Sequence, residues 1–116
     1  MAQQGSHADP VVGVSGNGDA VVVRLAGELD LYNAPAVREA LANALARGPE
    51  RLVVDLSDVT FVDSTALATF VEARANLGSG ERFALAAPGL AARRALEVSG
   101  LDRHLAVYPT VESALA

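Results

Sequence analysis

A short apolar run, Leu52-Val53-Val54-Asp55-Leu56, lies near the middle of the chain. Runs of this kind are typical of a central strand that helices cover on at least one face. In the segment before it, apolar residues recur at the spacing of one helical face from Val37 to Leu45, and Gly48-Pro49 ends that pattern. A helix followed by a buried strand indicates an α/β domain.

The segments on either side continue this alternation. Residues 11–14 and 20–26 are β-branched runs around a glycine-rich turn, which predicts a hairpin. Asn33 is the expected N-cap of the first helix, with Pro35 in its first turn. The chain beyond the central strand predicts a second helix carrying Leu67, Phe70, Val71 and Leu77 and ending at Gly78-Ser79-Gly80, a strand at 83–86, a third helix at 90–98, a strand at 105–108 and a short helix from Thr110 to Leu115.

The predicted order of elements is therefore β-β-α-β-α-β-α-β-α. Helical crossovers within one sheet are right-handed and make the later strands parallel, while the opening hairpin adds an antiparallel edge. We predict an α/β fold with a mixed, mostly parallel sheet. Residues 10–116 are expected to form a single domain, preceded by a flexible segment at residues 1–9.

Composition excludes several classes of function. The chain of 116 residues has no cysteine, which excludes disulfides, thiolate catalysis and cysteine-based metal sites. Its histidines, His7 and His104, are expected on the surface, so we predict neither a metal nor any other cofactor. The nine basic residues, all arginine, are outnumbered by fourteen acids, for a net charge of −5. This balance argues against direct nucleic-acid binding and favours a basic partner.

The sequence shows no pattern typical of a membrane span or of secretion. No apolar stretch approaches the length needed to span a bilayer, and residues 1–6 lack the charged and apolar regions of a secretory signal. We therefore expect a cytoplasmic protein that does not insert into membranes.

The segment Asp63-Ser64-Thr65 marks the passage from a strand region into the second helix. The first residues of a helix present unpaired N–H groups and the positive end of the helix dipole, which favours an anion there. An Asp-Ser-Thr at this position is also typical of a simple N-cap formed by Asp63 or Ser64. The local residues leave both interpretations open.

Two segments together resemble the signature of STAS domains: Gly27-Glu28-Leu29-Asp30, and residues 53–67, Val-Val-Asp-Leu-Ser-Asp-Val-Thr-Phe-Val-Asp-Ser-Thr-Ala-Leu. From about Val11 to its end the chain is similar to stand-alone bacterial anti-sigma factor antagonists. The resemblance implies a sheet with helices packed largely on one face. It also implies a regulatory binding protein and not an enzyme.

The same resemblance implies a phosphorylation switch at Ser64. In that family the matching serine is phosphorylated by an anti-sigma factor that is itself a serine kinase, and the dephosphorylated antagonist binds that factor and frees a sigma factor. A phosphatase is then expected to reset Ser64. The resemblance places Asp30 beside the serine, and we predict a partner-binding surface of Asp30, Asp63, Ser64 and Thr65 on a monomer or weak dimer.

The sequence departs from the family pattern at Ala66 and Ala68, where glycines often follow the serine. Alanine favours helix over glycine by roughly 1 kcal/mol per residue, so the helix start is expected to be stiffer. The two added methyl groups are expected to crowd the approach of the kinase or to alter the choice of partner.

Other interpretations were weighed against this one. A serine hydrolase built from Ser64, Asp63 and His104 lacks the G-x-S-x-G elbow. A response-regulator receiver requires a strand-end lysine, and the chain has no lysine. Within the resemblance, an antagonist that is never phosphorylated and a STAS subunit of a lipid-transport or stress-sensing assembly stay open. Tyr32 is interpreted as a contact residue and not as a catalytic acid, although packing against Val37 or the sheet is the favoured interpretation. Arg93-Arg94 are expected to be solvated.

Overall fold

The computed structural model describes residues 9–78 and 82–116. The predicted flexible segment lies outside the described residues except for Asp9, whose carboxylate accepts a hydrogen bond from the Val11 N–H. The elements follow the predicted order: β1 Val11–Asn17, β2 Ala20–Leu29, α1 Ala34–Ala46, β3 Arg51–Val62, α2 Ser64–Leu77, β4 Phe83–Ala86, α3 Leu90–Ser99, a turn of 3-10 helix Leu101–Arg103, β5 Ala106–Tyr108 and α4 Val111–Leu115.

The sheet has the mixed topology that the sequence predicts. Its five strands lie in the order β1-β2-β3-β4-β5. The hairpin strands β1 and β2 are antiparallel, and each later pair is parallel. Because β2 to β5 all point the same way, the residues that follow these strands gather at one edge of the sheet, which we call the carboxyl edge.

The helices lie largely on one face, also as predicted. Alternate residues of the strands, such as Leu25 and Val54, join Val37 of α1, Phe70 of α2 and Leu96 of α3 in the main core. The opposite face carries a smaller apolar cluster in which α4 contributes Ala114 against Val53, Ala84 and Ala86. Strands buried on both faces explain why the central run is apolar throughout and does not alternate.

Strand β3 is much longer than the sequence predicts. The apolar run suggests residues 52–56, but the strand continues to Val62 through the polar residues Ser57 and Asp58. Pairing with β2 supports the extension, with Gly27 opposite Val59 and Leu29 opposite Val62 across two register shifts. Cross-strand pairing therefore overrides local propensity and brings β3 to the carboxyl edge together with β2.

The expected caps have mixed outcomes. Gly78 ends α2 with a left-handed φ of 76° as predicted, and Ser79 and Gly80 lie outside the described residues. Thr110 caps α4 through its hydroxyl, which accepts from the Ser113 N–H. Asn33 occupies the N-cap position of α1, but the prediction that it caps the helix is wrong because its side chain makes no capping bond.

No helix among residues 9–78 and 82–116 is both long enough and apolar enough to cross a bilayer.

Candidate functional site

The ends of β2 and β3 bring the two signature segments together. Leu29 is opposite Val62 in the last pair of the two strands. The Asp63 N–H then donates to the Leu29 carbonyl at 3.0 Å, which joins the residue just after β3 to the last residue of β2. The carboxyl edge of parallel strands is where α/β domains commonly place their functional residues. The loop of residues 30–33 and the start of α2 therefore form one site.

Asp63 holds this site together through both oxygens of its carboxylate. Oδ1 accepts a hydrogen bond from the Ala66 N–H at 3.0 Å and so caps α2. Oδ2 accepts from the Leu31 N–H, also at 3.0 Å, across 32 positions of sequence. Of the two N-cap candidates that the sequence left open, the structure selects Asp63. The same side chain also fastens the loop of residues 30–33 to the start of the helix.

Ser64 is the first residue of α2 and is exposed. Within the part of the chain that the structure describes, its hydroxyl makes no hydrogen bond, because Asp63 does the capping. Thr65 is half-buried, and its carbonyl accepts from the Thr69 hydroxyl inside the helix. Of the two adjacent hydroxyl residues, Ser64 is thus the more accessible to a modifying enzyme.

Asp30 shapes the loop from within. Its Oδ1 accepts from the N–H groups of Tyr32 at 3.0 Å and Asn33 at 3.2 Å. Asn33 reciprocates: its Oδ1 accepts from the Asp30 N–H, and its amide donates to the Glu28 carbonyl. This reciprocal pairing is the reason Asn33 does not cap α1. The loop is therefore a rigid unit, and it brings Asp30 to the same edge as Ser64.

Exposed apolar side chains lie at the same edge of the sheet as these polar residues, and the sequence did not predict them as a group. Tyr32 is 78% exposed, so the expectation that it packs against Val37 or the sheet is wrong. Leu31, Phe61 near the end of β3, and Leu90 at the start of α3 are also exposed. Apolar patches rimmed by polar residues are characteristic of interaction surfaces. The only signal in the sequence was the pair Leu31-Tyr32 in a predicted loop.

The charge at this edge is acidic. Glu28, Asp30 and Asp63 all lie within the last residues of β2 or directly after β2 and β3. Asp58 belongs to β3 instead, opposite Ala26, and forms an ion pair with Arg24 at 3.6 Å. Asp58 therefore adds little to the negative potential near Ser64.

The two alanines at which the sequence departs from the resemblance have different environments. Ala66 is fully buried in the main core, so its methyl group cannot crowd a partner, contrary to the expectation from sequence. Ala68 is exposed on α2, one turn beyond Ser64. Only Ala68 changes the surface that a partner meets.

In the sheet topology, His104 lies at the opposite edge from Asp30, Asp63 and Ser64. It follows the 3-10 turn and precedes β5, so it belongs to the amino edge of the parallel strands, whereas Ser64 belongs to the carboxyl edge. The residue types of a serine hydrolase are thus not brought together. Arg93 and Arg94 are exposed on α3, as expected for a solvated face.

Comparison with known proteins agrees with this architecture. A family model for the STAS domain matches residues 12–114. The anti-sigma-F factor antagonist RsfB of Mycobacterium tuberculosis is 33% identical over 104 residues, which cover 90% of this chain and 85% of RsfB. The crystal structure of an anti-sigma factor antagonist from Mycobacterium paratuberculosis has a TM-score of 0.82 at 36% identity, covering 88% of this chain and 87% of the other.

The same fold is found in a more distant protein. Unphosphorylated SpoIIAA, an anti-sigma factor antagonist, has a TM-score of 0.73 at 23% identity, covering 89% of this chain and 91% of SpoIIAA, a likeness that concerns the fold alone. The family match and the similarity to RsfB both extend over most of the sequence. The chain therefore belongs to the STAS domain family, and its relatives are named anti-sigma factor antagonists.

Proposed function

We propose that this chain is an anti-sigma factor antagonist: it binds an anti-sigma factor with serine kinase activity and so frees a sigma factor. Phosphorylation of Ser64 by that kinase switches the binding off, and a phosphatase restores it. The observation that carries the proposal is the exposed Ser64 hydroxyl, which is left without a capping role because Asp63 caps α2. The names of the relatives support the general role.

The proposed docking surface is centred on Asp30, Asp63, Ser64 and Thr65. The exposed side chains of Leu31 and Tyr32 extend it with apolar area, which supplies most of the driving force in protein association. The acidic rim would be matched by a basic surface on the anti-sigma factor, which steers the encounter of the two proteins. The partner is thus defined by its chemistry as well as by the relatives' names.

The modification itself is a phosphoryl transfer from a nucleoside triphosphate. A bond forms between the Ser64 Oγ and the γ-phosphorus, and the bond between that phosphorus and the β–γ bridging oxygen breaks. The hydroxyl proton passes to a base of the kinase, and a nucleoside diphosphate leaves. The antagonist contributes only the hydroxyl, so it needs no catalytic residue of its own.

The phosphate would act at the interface and would leave the strands and helices of the domain folded. It adds about −1.5 to −2 charges and three acceptor oxygens, which the positive end of a helix tolerates well. At a docked interface the same group would add to the charge of Asp30 and Asp63 and would have to lose its water. Repulsion and desolvation therefore both oppose binding.

We expect the purified chain, incubated with ATP and the anti-sigma kinase of the same organism, to gain a single phosphate on Ser64. Intact mass spectrometry followed by phosphopeptide mapping measures this. Ser64→Ala should take up no phosphate, while Thr65→Ala, the matched control at the neighbouring hydroxyl, should still take up one. A phosphate on Thr65, or no phosphate on the unsubstituted chain after incubation, would overturn the proposed switch.

A further inference from the structure

We infer that Asp63 is the positioning residue through which a phosphate on Ser64 acts on the loop of residues 30–33. This inference rests on the proposed function, because it presupposes the modification of Ser64. The loop carries Leu31 and Tyr32, the exposed apolar part of the proposed docking surface. Phosphorylation would then change where this loop lies as well as the local charge.

The hydrogen bonds of the two aspartates at this site differ in one decisive respect. A single oxygen of Asp30, Oδ1, accepts hydrogen bonds from both the Tyr32 and the Asn33 N–H groups. Asp63 uses both of its oxygens: Oδ1 accepts from the Ala66 N–H, and Oδ2 accepts from the Leu31 N–H. The bonds of Asp30 stay within the loop, whereas those of Asp63 join the loop to α2. The Asp63 carboxylate is therefore a direct side-chain link between the modified helix and the loop.

A phosphate on Ser64 would disturb this link in two ways. The dianion would stand on the residue directly after Asp63, so the two anions would repel each other. Its oxygens would also compete for the N–H groups of the first helical turn, of which Ala66 N–H is now held by Asp63. If Asp63 is displaced, the Leu31 N–H loses its acceptor.

The loop has the properties that such a displacement requires. Leu31 is 62% exposed, so its N–H can bond to water once Asp63 has moved. The internal bonds of Asp30 and the pairing of Asn33 with Asp30 and Glu28 do not involve α2, so the loop would keep its own shape. Its two ends stay anchored, because the Asn33 amide donates to the Glu28 carbonyl of β2 and the Ala34 N–H donates to the Asp30 carbonyl. The displacement would therefore centre on Leu31 and move its side chain out of register with the partner.

Amide hydrogen exchange, measured by NMR on the full isotope-labelled chain, tests this inference. The two samples are the unmodified chain and the chain with phosphoserine incorporated at position 64 during synthesis. Phosphoserine is expected to speed exchange of the Leu31 amide by about tenfold or more, which corresponds to about 1.4 kcal/mol. The Tyr32 and Asn33 amides, bonded to Asp30, should change by no more than about twofold.

A pair of isosteric variants provides the matched control. Asp63→Asn has one acceptor oxygen for two N–H groups, so it should speed exchange at Leu31 without any phosphate. Asp30→Asn keeps the one oxygen that does all the accepting, so it should leave Leu31 unchanged. The phosphoserine sample carries neither substitution, so this test does not depend on whether the two variants fold. Unchanged exchange at Leu31 in that sample would overturn the inference, even if Asp63→Asn speeds it.

A binding measurement on the same phosphoserine sample distinguishes the proposed function from the inferred action of the phosphate through Asp63, which we call the relay. If this sample binds the anti-sigma factor as tightly as the unmodified chain does, the proposed switch fails, whatever Leu31 does. If it binds weakly and Leu31 exchange is unchanged, the switch stands and the relay through Asp63 is wrong. Weak binding together with faster Leu31 exchange supports both.

Discussion

Ser64→Asp is expected to weaken binding of the anti-sigma factor by about tenfold to a hundredfold, or about 1.4–2.8 kcal/mol. The new carboxylate joins Asp30 and Asp63 on an acidic surface and must be desolvated when the partner docks. It carries less charge than a phosphate, so the effect of true phosphorylation should be at least as large. Titration calorimetry with the purified anti-sigma factor measures both affinities.

Ser64→Ala is the matched control, and it should bind within about threefold of the unmodified chain because only an unbonded hydroxyl is removed. Both variants should keep the far-ultraviolet circular dichroism of the parent, because Asp63 and not Ser64 caps α2. An aspartate variant that bound as tightly as the parent would contradict a switch acting at the interface. One that unfolded would show that Ser64 has a structural role that the geometry does not assign to it.

Phe70→Ala is expected to destabilise the domain by about 3–5 kcal/mol, a large part of the roughly 5–15 kcal/mol that such domains have. Phe70 is fully buried and is among the largest side chains in the core, so its removal leaves a cavity under α2. Urea denaturation followed by circular dichroism measures the loss. The helix that carries Ser64 depends on this anchor.

Val71→Ala is the control for Phe70, because the two residues are neighbours on α2 and both are among its predicted apolar positions. The structure places Val71 on the outer side of the helix, where it is 40% exposed. Its truncation should cost less than about 1 kcal/mol. Equal losses for the two variants would mean that α2 is rotated relative to the sheet.

The order of elements was predictable because its signals are local. Helices α1, α2 and α3 carry recurring apolar residues and end beside a glycine, as at Gly78, and β4 and β5 are short runs followed within two residues by proline. The extension of β3 was not predictable from residues 57–62, which are polar in part and are held in the strand by β2. Val71 shows the same limit, because periodicity identifies the apolar positions of a helix but not the boundary of the buried face.

The candidate site was predictable only in part. Ser64 at a helix start was visible from the sequence, but its role as a switch came from the resemblance, since local physics by itself supported only a helix cap. The structure assigns the cap to Asp63 and leaves the Ser64 hydroxyl unbonded. The bond from Leu31 to Asp63 joins residues 32 positions apart, and no local pattern indicates it. The exposure of Tyr32 follows from the same tertiary arrangement.

Release of a sigma factor from its complex with the anti-sigma factor is the measurement that bears on the whole proposal. Adding the unmodified chain to that complex should free the sigma factor in proportion to the chain added, as followed by size-exclusion chromatography or fluorescence anisotropy. The same chain carrying phosphoserine at position 64 should free little or none at equal concentration. Equal release by both forms, or no release by either, would contradict the proposal that this protein is an antagonist switched at Ser64.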